Sequence, residues 1–130
     1  MGIFTHQCVG TNDVARAGFF YDAALAPLGV QRLGGFLDQG IAYGARAAEF
    51  LVLRPVDGGA AMPGNGVTVG FKAPDRAAVD AFHAGGLAAG GENAGAPGAR
   101  GAVAHAYGAY LLDPDGNKIC AYCFKPEGDA

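Results

Sequence analysis

Charge is scarce in this sequence: 16% of its 130 residues are Asp, Glu, Lys or Arg, and the formal net charge is −3. No run of Lys or Arg stands out, so the basic footprint of a nucleic-acid binder is missing. Long apolar stretches are missing too, none approaching the ~18–20 residues that a membrane-crossing helix needs. No basic segment followed by an apolar core opens the chain, so no secretory leader is expected, and the expected location is cytoplasmic. Cysteine is sparse and odd in number, with Cys8, Cys120 and Cys123. That argues against a disulfide framework and for reduced thiols.

Small and apolar residues fill the space that charge leaves. Hydrophobic residues make up 51% of the chain and glycine contributes 23 positions, enough for a real core but with weak local propensities. The length fits one domain, 1–130. Residues 3–9 read as a strand, with Phe4, His6 and Cys8 on one face and Thr5, Gln7 and Val9 on the other. Asn12 or Asp13 is placed to cap a helix running to about Ala26, with Val14, Ala17, Phe20 or Tyr21, Ala24 and Leu25 as its apolar stripe. Strand-like pieces follow at 30–37, 40–44 and 49–53.

A Gly/Pro-rich linker spans 56–65, and then the order repeats. A strand at 67–71 precedes a helix capped by Asp75 and stopped at Gly90-Gly91. The stretch 92–101 reads as a loop, with a short strand near Val103. Strands at 107–112 and 118–124 flank Asp113-Pro114-Asp115-Gly116-Asn117, a strong hairpin turn. Residues 126–130 read as a frayed end. Shifting 3–29 by 62 positions aligns Asp13, Ala15, Phe20, Leu25, Ala26 and Gly29 with identical residues. These are cap, core and stop positions, as a duplicated unit should retain. At the ends of the two halves, Arg54-Pro55 falls on Lys125-Pro126 with a shift of 71. Module one is therefore 3–55 and module two 66–126.

Three segments carry a resemblance. They are Thr5-His6-Gln7-Cys8-Val9 with 20–29 (FYDAALAPLG), then 70–83 (GFKAPDRAAVDAFH), and above all 110–119 (YLLDPDGNKI). Together they resemble the glyoxalase/bleomycin resistance/extradiol dioxygenase, or vicinal-oxygen-chelate, proteins over nearly the whole chain. The resemblance implies an α+β fold, with two βαβββ modules whose mixed sheets curl into a cup, and a homodimer. It also implies a cup that chelates a small oxygenated substrate through a divalent metal, or that binds a small molecule without one. Fold alone does not choose between these.

In such proteins the metal ligands come from the first and last strands of each module. The resemblance maps them to His6, Glu49, Thr68 and Cys120, the last two departing from the usual His and Glu. Zn²⁺ is the metal most compatible with His6, Glu49 and Cys120; the alternative is a cup without a metal, in which His6 is a hydrogen-bonding residue, Glu49 a solvated or Arg-paired carboxylate and Cys120 a small apolar filler. With a metal, the expected activity is that of a glyoxalase-related lyase or isomerase, with Glu49 as ligand or proton-transferring base. Without one, a small, partly aromatic or anionic molecule is the expected partner. Tyr43, Tyr110 and Tyr122 are candidate cup-lining phenols, with core packing as the other reading. Arg100, His105 and Tyr107, near the long loop of module two, are candidates for contacting an anionic ligand. Cys8 shares the His6 face but lies ~7 Å along the strand. Cys123 is expected to face the helices, and His83 to face solvent.

Overall fold

The computed structural model describes residues 2–127. Strand β1 (Gln7–Gly10) leads into helix α1 (Val14–Leu25), closed by a 3-10 turn at Ala26–Leu28, and strands β2 (Gln31–Phe36), β3 (Gly40–Gly44) and β4 (Phe50–Leu53) complete the first half. The second half repeats it with β5 (Thr68–Lys72), α2 (Arg76–Ala88), β6 (Glu92–Ala99), β7 (Tyr107–Leu112) and β8 (Lys118–Cys123). Each half forms a separate four-stranded mixed sheet, in the orders β1-β4-β3-β2 and β5-β8-β7-β6. The first and last strands of each half run parallel, and the other pairs are antiparallel. This is the α+β, twice-βαβββ architecture expected from the repeat. Among the described residues no helix is long and apolar enough to cross a membrane.

Both helices begin where their caps dictate. The Asp13 carboxylate accepts from the Arg16 N–H at 3.0 Å, and Asp75 accepts from the Ala78 N–H at 2.8 Å. Each occupies an orphan donor of the first turn. The buried residues of α1 include Ala17, Phe20, Tyr21, Ala24 and Leu25, three or four apart, so one face of the helix meets the core.

Some boundaries differ from the sequence pattern. The first strand begins at Gln7 rather than residue 3, and residues 92–99 are a strand, not a loop. Strand β6 reads ENAGAPGA, with none of the β-branched or aromatic residues that mark strands. It is the outermost strand of its sheet and pairs with β7 through two register shifts, where Pro97 is tolerated. Val103 lies in a turn instead of a strand. Because β6 forms, His83 is covered: it is 7% exposed, and its Nε2 sits 2.9 Å from Asn93 Oδ1, in contrast to the solvent-facing position expected. Of the expected frayed end, residues 128–130 lie outside the described residues.

One cluster of buried side chains takes residues from both halves, including Phe20, Tyr21, Tyr43, Phe50, Val52, Val79, Phe82, Leu111 and Ile119. Phe50 of β4 meets Phe71 of β5 edge to face at 5.0 Å. The Asp113–Asn117 hairpin adds a polar tie between the halves. Asp113 is buried, and its carboxylate accepts the Tyr21 O–H at 2.6 Å and the Asn117 side-chain N–H at 2.9 Å. The same carboxylate also accepts the N–H groups of Asp115 and Asn117. Asp115 accepts from the Thr11 O–H at 2.6 Å and the Asn12 N–H at 2.9 Å, and pairs with Arg16 at 3.2 Å.

Candidate functional site

Alternation along the strands sorts the two faces of each sheet. Val9, Phe50, Val52, Val69, Ile119, Ala121 and Cys123 join the core under the helices. Cys8, Leu51, Gly70, Cys120 and Tyr122 therefore point to the opposite face, the one that would form a cup. Cys123, at 2% exposure, is on the helix side as its parity requires.

The strand registers place the four candidate ligand positions. Gln7 is level with Phe50, and its counterpart in the second half, Val69, is level with Ile119. Strand β4 thus maps onto β8 with a shift of 69 rather than the 71 taken from the module ends. On that register Cys120 corresponds to Leu51, and Glu49 corresponds to Lys118. Glu49 is exposed and precedes β4; its backbone accepts from the Gln7 N–H at 2.9 Å. His6 is exposed and its Nδ1 lies 3.0 Å from the Thr5 hydroxyl. Thr68 is exposed, level with Lys118, while Cys120 is 5% exposed and level with Gly70. Burial raises the Cys120 thiol to about 11, partly opposed by Lys118. Among the described residues no three of His, Cys, Asp and Glu gather where a metal ion fits.

The aromatic candidates divide between the faces. Tyr43 is fully buried on the helix side; its hydroxyl donates to Asp22 Oδ1 at 2.9 Å and to the Gly18 carbonyl at 3.4 Å. Tyr107 also leaves the cup, because it shares parity with buried Ala109 and Leu111. Its hydroxyl donates to Asp80 at 2.6 Å, and the Arg76 guanidinium covers its ring at 4.9 Å. His105 is exposed at the loop with φ +61.

Tyr110 and Tyr122 remain together on the cup face. Their hydroxyls are 2.6 Å apart and their rings meet edge to face at 5.8 Å. Phe124 stacks on Tyr122 at 5.6 Å and is 56% exposed. Two cations lie over Tyr110: Arg100 at 5.7 Å and Lys118 at 5.1 Å from the ring centroid. Gly108 makes the arrangement possible, since a Cβ there would lie 2.7 Å from Tyr122 Cε1 and Cζ.

Comparison with known proteins now bears on this arrangement. No family model and no curated protein sequence matches the chain. Among solved structures, a glyoxalase/bleomycin resistance protein from Albidiferax ferrireducens T118 is 43% identical, superposes with a TM-score of 0.84, and aligns over 93% of this chain and 98% of its own. The chain belongs to the glyoxalase/bleomycin resistance protein family. More distant structures share the fold. A glyoxalase-related enzyme from Fulvimarina pelagi has 18% identity and a TM-score of 0.71, over 94% of this chain and 88% of that one. A lactoylglutathione lyase from Agrobacterium tumefaciens has 18% identity and a TM-score of 0.62, over 93% and 92%.

For this glyoxalase-family protein the donor chemistry tests whether a divalent metal fits. With the registers applied, the matched positions are His6, Leu51, Thr68 and Cys120. They offer an imidazole, an alkyl group, a hydroxyl and a thiol, so only His6 and Cys120 could ligate a divalent ion, short of the three protein ligands a catalytic site uses. Glu49 falls one residue before the Gln7–Phe50 pair, two residues short of Leu51, the position matched to Cys120. Two residues of the aromatic wall, Lys118 and Phe124, escaped the sequence reading. The signal for both was parity, since 118, 120, 122 and 124 alternate onto one face of a single strand and its extension.

Proposed function

We propose that this protein binds a small molecule on the cup face of its second sheet and does so without a metal. The observation carrying this reading is the identity of the four family ligand positions, where Leu51 and Thr68 replace two ligating side chains. The aromatic wall of Tyr110, Tyr122 and Phe124 supplies what a binding surface needs instead: flat apolar area with hydroxyl tips. Because one hydroxyl of the Tyr110–Tyr122 pair donates to the other, the second proton is free to donate to a ligand. This wall is open on a single chain. A homodimer in which a second copy covers it would complete the cup, and the exposed ring of Phe124 is consistent with that arrangement.

Protein purified without chelator or affinity tag is expected to hold less than about one-tenth equivalent of metal and to gain none from added Zn²⁺, Ni²⁺, Mn²⁺ or Fe²⁺. About one retained equivalent would overturn the reading and restore a metal-dependent lyase or isomerase. A thermal-shift screen of small aromatic compounds is expected to raise the melting temperature. Tyr122→Ala should abolish that rise, and sedimentation should report twice the chain mass.

A further inference from the structure

Resting on that binding reading, we infer that the ligand is a planar aromatic anion, its ring against Tyr122 and Phe124 and its charge beside Arg100 and Lys118. Charge complementarity carries this. Arg100 and Lys118 both lie within 6 Å of the Tyr110 ring centroid, at 5.7 and 5.1 Å. Neither has a carboxylate partner among the described residues, where the ion pairs are Arg16–Asp115 and Arg32–Asp22. Arg100 is steadied by donating its Nη2 to the Ala96 carbonyl at 2.9 Å, a neutral acceptor that leaves its charge uncompensated. The carboxylate on this face, Glu92, stands on the outer edge strand level with Leu112.

A cationic ligand at the wall would therefore meet two like charges before it reached the single carboxylate at the sheet's edge. An anionic one gains charge-assisted hydrogen bonds from two directions. The aromatic half of the assignment comes from the stacked pair. Tyr122 and Phe124 are nearly parallel, with an interplanar angle of 9°. The outer ring is more than half exposed, so a flat ligand can extend the stack. Tyr110 stays neutral, because its hydrogen bond with Tyr122 and burial push it up to about 12. The one proton not used between the two hydroxyls is left to donate to an anion.

The test uses three probes of one shape: 2-naphthoate, 2-naphthylmethanol and 2-naphthylmethylammonium. Binding to the full-length protein is followed by calorimetry and by the ring resonances of Tyr110 and Tyr122. Naphthoate should bind tightest and perturb both rings. Arg100→Gln and Lys118→Gln should each weaken naphthoate by about tenfold while leaving the neutral probe within about twofold. Arg100→Lys and Lys118→Arg should retain most of the affinity and serve as folding controls. If the neutral or cationic probe binds this face as tightly as naphthoate, the anion assignment is overturned and the binding reading survives. If no probe perturbs Tyr110 or Tyr122, both fail.

Discussion

At the scale of single residues, Cys120 separates two kinds of thiol chemistry. A nucleophilic cysteine must be a thiolate at neutral pH, and such cysteines sit in electropositive, partly open places, whereas a structural one is buried and protonated. Cys120 has Lys118 nearby, but desolvation outweighs it, raising the thiol from 9.0 to about 11. The folded protein therefore holds this proton more tightly than the unfolded chain does. Its contribution to stability is full below about pH 9, where both states are protonated, and is lost as pH rises from 9.0 toward 11. Urea midpoints measured from pH 8 to 11 should fall more steeply for the wild type than for Cys120→Ala; parallel slopes would show that the thiol is not desolvated. Tyr110, which the Cys120 charge also raises, adds to the difference between the two proteins. The sequence left Cys120 between a ligand position and a buried apolar filler; its burial against Gly70 and Tyr110, which a strand pattern alone does not show, favours the filler. What the sequence did offer was the opposite parity of Cys123, since parity is a property of the strand itself.

At the scale of elements, legibility tracked how strongly local chemistry constrains the backbone. Both helix caps, strands β3 and β7, and the Asp113–Asn117 turn follow from residue types whose preferences have a direct mechanism. Strand β6 did not follow, because ENAGAPGA carries no strand propensity and exists by pairing with β7. Its absence from the sequence reading misplaced His83, which needs that strand to be covered. Tyr107 and Tyr110 teach a related lesson: three residues apart on a regular strand, they take opposite faces, so Tyr107 cannot contact a ligand held beside Tyr110 on the cup face. The hairpin supplies the quantitative check at this scale. Gly116 has φ +90, in the region where a Cβ is crowded by the backbone. Gly116→Ala is expected to cost about 1–2 kcal/mol in urea unfolding, and Gly116→Asn less, since Asn tolerates that region better. A cost below about 0.5 kcal/mol for alanine would mean the turn relaxes freely.

At the scale of the whole molecule, the duplicated halves are held together by contacts the repeat could not reveal. The 62-residue shift aligned elements that look alike, whereas the tie between halves joins elements that differ: a hairpin of module two and the β1–α1 corner of module one. For the same reason the shift of 71 misaligned β4 with β8. It was read from chain ends, whereas the pairing Gln7 with Phe50 and Val69 with Ile119 sets the true correspondence. Asp115 is the centre of that tie. Its side chain is 1% exposed and receives the Thr11 hydroxyl, the Asn12 N–H and the Arg16 guanidinium. Asp115→Ala leaves those donors without their acceptor and should cost on the order of 2 kcal/mol. The more telling readout is cooperativity. With a shared core and an intact tie, amides of α1 and α2 should exchange together through a single global opening. In Asp115→Ala the first turn of α1 should exchange by a separate, lower-energy opening, with α2 keeping its protection relative to the global limit. Uniform loss of protection in both helices would instead make Asp115 an ordinary contributor to one core, with no special part in joining the two modules.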